Sequence, residues 1–197
     1  MLITFHALKK EGGLSMRLFT AIELNEEAKR ELVRLQQELK KTLSCRKWQT
    51  QSQMHLTLHF LGDLSLQQAE LVKQEMEDVA ASFSPFSLTL TNVGAFPNLK
   101  RPRVIWAGVG GHLKDLGSLQ QTLAKQLTKG ELYKEERAYS PHITLGREPR
   151  MEGDPESVRL PDVYPTSWHV SQIVLFHSTL TPKGPIYKTL GTYSLRS

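Results

Sequence analysis

Apolar and polar positions alternate in two stretches of the chain that share a four-residue pattern. From Met54 to Leu61, residues Met54, Leu56, Leu58 and Phe60 fall on one parity and His55, Thr57 and His59 on the other. Alternate side chains of a strand share a face, so this pattern predicts a half-buried strand that presents its histidines and threonine to one surface. Tyr139 to Gly146 repeats it, with Ile143 and Leu145 inward and His142 and Thr144 outward. Each stretch follows an apolar strand and a helical stripe. Arg17 to Ile22 is the first such strand, and Asn25 is placed to cap a helix whose first turn carries Glu26 and Glu27, where carboxylates suit the positive helix end. Ala28, Leu32, Leu35, Leu39 and Leu43 then recur at helical spacing. In the second half, Arg103 to Val109 is the strand, and Leu113, Leu116, Leu119, Leu123 and Leu127 form the stripe, which ends before Gly130.

Equivalent elements are offset by about 86 residues from Arg17 to Arg103 and by about 87 from His55 to His142, which predicts two similar halves facing one another. Between the halves, a helix is predicted from Ser65 to Phe83 and a strand from Phe86 to Leu90. The polar stretch Glu148 to Pro165 predicts a long loop. Val170 to Phe176 and Ile186 to Leu195 predict strands around the turn Pro182-Lys183-Gly184-Pro185. The expected fold class is α+β: two pseudo-symmetric lobes of mostly antiparallel sheet, helices outside, with an active-site cleft between them. Residues 1–15, with Gly12-Gly13 just ahead of a second methionine, read as an N-terminal extension to a single two-lobed domain spanning 16–197.

With 39% hydrophobic and 23% charged residues, the 197-residue chain fits one compact domain or two closely packed lobes. No apolar run approaches the roughly 18 residues of a membrane span, and the start lacks the pattern of a signal peptide. A cytoplasmic protein without membrane contact, and a monomer, is expected. Cys45 is the only cysteine, which excludes an internal disulfide and a cysteine-based zinc cage. The formal charge of +5 favours an anionic partner such as nucleic acid. Lys40, Lys41, Arg46 and Lys47 form one basic cluster, and Lys100, Arg101 and Arg103 a second.

With seven histidines, about half an H-x-T match is expected by chance, so context decides. His177-Ser178-Thr179-Leu180 also fits the pattern, but no strand–helix unit precedes it, and it reads as coincidence. The other two copies offer a matched pair of imidazoles. With unperturbed pKa values near 6.5, one can serve as acid while the other serves as base. Thr57 and Thr144 can donate hydroxyl hydrogen bonds to phosphoryl oxygens. Five residues beyond its histidine, the first copy has Phe60 and the second has Arg147, whose planar fork suits a phosphate. His59 shares the parity of His55 and reads as accessory or merely exposed. Trp48, Trp106 and Tyr139 could stack on a base, with burial the commoner outcome. Zinc is disfavoured because no H-E-x-x-H or comparable acidic spacing accompanies the histidines; no metal and no cofactor are expected.

The paired segments His55-Leu-Thr-Leu-His-Phe-Leu-Gly62 and Ser140-Pro-His-Ile-Thr-Leu-Gly-Arg147 resemble the two-histidine phosphoesterase superfamily. Within it, the chain is most similar to the RNA 2',3'-cyclic phosphodiesterase family, also called 2',5' RNA ligase-like. Met16-Arg17-Leu18-Phe19, Arg103-Val-Ile-Trp-Ala-Gly108 and the Ser178 to Tyr187 region extend the similarity from Met16 nearly to the end. The resemblance implies that His55 protonates the leaving oxygen and His142 takes the proton from water, opening an RNA or nucleotide 2',3'-cyclic phosphate to a 2'-phosphomonoester without metal. Reverse 2',5' ligation is the allied reaction, and a non-catalytic RNA-end binding module is the alternative. His59 departs from the resemblance, standing where a lysine is expected.

Overall fold

The computed structural model describes residues 15–134, 138–151, 159–182 and 184–196. Their elements run β1 (Ser15–Ile22), α1 (Glu26–Leu39), β2 (Leu43–Trp48), a 3-10 turn (Gln51–Gln53), β3 (Leu56–Ser65), α2 (Leu66–Ala80), β4 (Phe86–Phe96), β5 (Val104–Gly111), α3 (Leu113–Lys129), β6 (His142–Met151), β7 (Ser167–Val170), β8 (Gln172–Thr181) and β9 (Gly184–Ser194). All strand pairs are antiparallel. A four-stranded sheet has the order β3-β1-β8-β9 and a five-stranded sheet the order β2-β6-β5-β4-β7.

Local chemistry starts the helices where the patterning places them. Asn25 Oδ1 accepts from Ala28 N at 2.8 Å, closing one of the unpaired donors at the start of α1. At α2, Ser65 and Gln68 form a capping box, with Ser65 Oγ accepting from Gln68 N at 3.2 Å and Gln68 Oε1 from Ser65 N at 2.9 Å. The stripes Ala28, Leu32, Leu35, Leu39 and Leu116, Leu119, Leu123, Leu127 are buried in one shared core with Leu56, Leu58, Ile143 and Leu145. A second, smaller cluster of Phe19, Ala21, Val174 and Phe176, with Tyr187 against it, covers the opposite face of the four-stranded sheet. β1 is therefore buried on both faces, and Leu18 to Ile22 are all buried.

The halves are similar but interleaved. β3-β1-β8-β9 corresponds to β6-β5-β4-β7, yet β2, from the first half, pairs with β6 in the other sheet. Leu43 accordingly opens β2 rather than extending the helical stripe, because α1 ends at Leu39 and Thr42 N bonds back to Leu39 O at 3.1 Å. The stretch read as a loop from Glu148 is strand up to Met151, residues 152–158 lie outside the described residues, and the rest to Pro165 is irregular. The extension read at residues 1–15 also falls outside them, apart from Ser15, which pairs with Ser65.

Strict alternation fails just after the threonine of each motif strand, and again in β3 at Leu61, which is extra between Phe60 and Gly62. Thr57 faces Ala21 while His59 faces Thr20, leaving Leu58 as an extra residue; Thr144 faces Trp106 while Gly146 faces Ile105, leaving Leu145 extra. A bulge of this kind reverses the parity of the residues that follow, up to any further irregularity. His59 is therefore turned into the core at 1% exposure, and Phe60 outward at 62%, the reverse of the alternation expected from sequence.

Candidate active site

Each motif histidine is fixed by the carbonyl two residues before it. His142 Nδ1 lies 2.7 Å from Ser140 O, and His55 makes the corresponding hydrogen bond to the backbone of Gln53. A carbonyl only accepts, so His142 donates from Nδ1 and keeps Nε2 for chemistry. The 3-10 turn Gln51–Gln53 delivers the first of these carbonyls, and Pro141 sits between the other carbonyl and its histidine.

The two rings have different surroundings. His55 packs against Phe19 (centroids 4.8 Å apart), Tyr187 edge-on (5.4 Å) and Phe176 (6.0 Å). Its burial lowers the imidazole pKa to about 4, opposed by the Gln53 carbonyl and reinforced by the charges of Arg147 and His142. His142 meets the edge of Phe96 at 4.9 Å, and burial, opposed by the Ser140 carbonyl and aided by Arg147, lowers its pKa as well. Tyr187 is raised by burial, but Arg147, a hydrogen bond from Gln49 and Arg17 pull it back. One guanidinium thus acts on both rings and on the tyrosine.

Arg147 carries an uncompensated charge among the described residues. Glu148, next in the chain, is paired with Arg46 at 2.8 Å. Directly across the β2–β6 ladder from Arg147 stands Lys47, a like charge, which is unfavourable unless an anion lies between them. The Lys47 ammonium lies against Gly184 at the β8–β9 turn, where a Cβ would collide with it. Thr57 and Thr144 are half-buried and precede the bulged leucines. A pocket of about 180 Å³ opens beside His55, bounded in part by Glu23, Ser52, Phe176 and Tyr187. A larger groove along α3 contains neither histidine.

The remaining residues singled out from sequence have other duties. His59 is not exposed: Thr20 Oγ1 is 3.0 Å from its Nδ1, Gln120 Nε2 is 3.0 Å from its Nε2, and burial lowers its pKa to about 4. Trp48 packs over Gly146 with Lys40 above its ring, Trp106 over Gly94 beside Phe96, and Tyr139 donates to Thr57 O at 3.2 Å. His177 adjoins Phe176, which faces the site, and so projects from the opposite face of β8. Gln49 was not singled out from sequence, Lys47 entered only as part of a basic cluster, and Phe19 and Tyr187 only as points of likeness; long-range pairing brings them near the histidines. Among the described residues, no three His, Cys, Asp or Glu side chains cluster in a way that could hold a metal ion.

Two antiparallel sheets, each contributing a carbonyl-anchored imidazole beside a shared guanidinium, make up the architecture of a phosphoesterase that works with paired histidines. The chain belongs to the LigT-like phosphoesterase family, whose profile matches residues 22–106 and 110–187. The RNA 2',3'-cyclic phosphodiesterase of Methanothermobacter thermautotrophicus is 31% identical over 92% of this chain and 100% of its own length. That of Thermotoga maritima is 34% identical, over 89% and 93% respectively. Among solved structures, a protein of Thermus thermophilus superimposes with a TM-score of 0.77 at 30% identity, covering 92% of this chain and 98% of its own. Escherichia coli LigT complexed with 3'-AMP superimposes with a TM-score of 0.79 at 25% identity, covering 93% and 100%.

Proposed function

We propose that this protein hydrolyses 2',3'-cyclic phosphate ends of RNA to 2'-phosphomonoesters, with His142 as base and His55 as acid. The observation that carries this reading is the pair of imidazoles, each anchored to a carbonyl and both under the field of Arg147. His142 Nε2 takes a proton from water, the water oxygen bonds to phosphorus, the bond from phosphorus to the 3'-oxygen breaks, and the His55 proton passes to that oxygen. Arg147, Thr57 and Thr144 take the non-bridging oxygens, and Lys47 adds a second cation on the same side.

The assignment of acid and base rests on the family resemblance, since burial lowers the proton affinity of both rings. In the free protein His55 is held neutral, by burial first and then by Arg147. A bound phosphodiester anion opposes the guanidinium and favours the imidazolium that an acid requires. The names of the relatives, the cations Lys47 and Arg147 side by side on the β2–β6 ladder and the net charge of +5 support RNA as the substrate. No helix among the described residues is long and apolar enough to cross a membrane.

The test is incubation, with chelator present, of an oligonucleotide ending in a 2',3'-cyclic phosphate, followed by identification of the product isomer. The expected product is the 2'-phosphate at an unchanged rate, with His55→Ala and His142→Ala each at least about 10²-fold slower while still folded. A 3'-phosphate, or near-normal turnover in either variant, rejects the assignment. Binding without product points to an RNA-end binding module.

A further inference from the structure

The two lobes share a repeat besides the histidine motif. Leu32-Val-Arg-Leu35-Gln36-Gln-Glu-Leu39 in α1 and Leu116-Gly-Ser-Leu119-Gln120-Gln-Thr-Leu123 in α3 have the same pattern, and the same positions are buried in both, including the first glutamine. Gln36 is 5% exposed and Gln120 2%. A buried amide is retained at a cost unless it is hydrogen-bonded, so its partners show what it is for.

Both glutamines reach across to the motif strand of the other half. Gln36 Nε2, from the first half, donates to Leu145 O and to Gln49 O, each at 2.8 Å. Leu145 is the bulged residue after Thr144, and a bulge leaves backbone groups that the ladder does not satisfy. Gln49 begins the approach to His55, its backbone N also donates to Leu145 O at 2.9 Å, and its side chain bonds Tyr187. Gln120, from the second half, lies 3.0 Å from His59 Nε2. His59 directly follows the other bulged residue, Leu58. The Gln120 backbone also hydrogen-bonds the His59 ring, and Thr20 Oγ1 lies 3.0 Å from its Nδ1, which ties α3, β3 and β1 together.

We infer that Gln36 and Gln120 are reciprocal positioning residues: each helix of one lobe pins the bulge of the opposite motif strand and so sets how the two histidine–threonine pairs face each other. Neither touches substrate. Each acts through the bulge, which directs Thr144 and Arg147 on one side and Thr57 on the other. This rests on the assignment of His55 and His142 to catalysis.

The test compares Gln36→Met and Gln120→Met, similar in length but unable to hydrogen-bond, with the exposed neighbour Gln37→Met. For the first two, kcat and kcat/KM should fall together by about tenfold to hundredfold, the scale of an ångström-level misplacement of reacting groups. Gln37→Met should match the parent. A purely structural role is separated by the combined variant Thr20→Val/His59→Leu/Gln120→Leu, which replaces all three buried polar side chains of this contact with apolar ones. Its thermal midpoint should return towards that of the parent while kcat stays low. The inference is overturned if the single variants lose stability but keep kcat within about twofold, or if the combined variant recovers kcat. Should Gln120→Met fail to fold, the combined variant decides on its own. Measured beside them, His55→Ala and His142→Ala separate this idea from the site assignment: inactive histidine variants with fully active glutamine variants sink only this inference.

Discussion

The guanidinium of Arg147 depresses the proton affinity of His55, His142 and Tyr187 together, which makes it the residue whose removal is most informative. In Arg147→Gln the ring titrations of both histidines, followed by NMR in the free protein, should move upward, because a positive neighbour that disfavours the imidazolium is gone. Hydrolysis of the cyclic phosphate should meanwhile fall about tenfold to hundredfold, the equivalent of one lost charge-assisted hydrogen bond. Unmoved titrations would place Arg147 outside the shared site. Of the candidate site residues, His55, Thr57, His142 and Thr144 were legible as a motif because strand parity holds from each histidine to its threonine, whereas Arg147 was singled out by residue type and lies beyond the bulge at Leu145. The place of His59 was not legible, because the parity changes between Thr57 and His59.

At the scale of elements, the edge strand β2 presses closely on β6. A Cβ on Gly146 would sit 2.6 Å from Cys45 Sγ and 3.0 Å from Trp48 Cε3, so Gly146 has no side chain because β2 occupies its place. Gly146→Ala should destabilise the protein by about 1–3 kcal/mol through overpacking, read from urea unfolding. Adding Cys45→Ala should return part of that loss, since Cys45 is the nearer obstacle; no recovery would mean that Trp48 and the backbone take the strain. The Cys45 thiol itself is pushed up to about 11 by burial and is no nucleophile near neutral pH. The helices were legible as stripes of period 3.6, whereas β2 was not, since Leu43 follows Leu39 at helical spacing and only pairing with β6 makes it a strand.

For the whole molecule, buried neutral histidines make folding depend on pH. His55 and His59 titrate at about 4 in the folded chain against 6.5 for an ordinary imidazole. Between those values the unfolded chain binds more protons, so the stabilisation is complete above about pH 6.5 and is lost as pH falls towards about 4. Urea unfolding from pH 7.5 to 4 should show this decline, and His59→Leu should make it shallower. An equal slope in that variant would assign the dependence to other groups.

Residue order alone was enough for the number and sequence of most elements, the duplication, and the paired histidine–threonine motifs, because periodicity and spacing are local properties that each half carries independently. The exchange between lobes arises only on folding: β2 crossing to β6, Tyr187 and Phe19 closing on His55, Lys47 opposite Arg147, and a buried glutamine from each half on the motif strand of the other. These contacts join residues far apart in the chain, and whether a bulge forms at Leu58 or Leu145 depends on the partner strand, which local alternation does not contain.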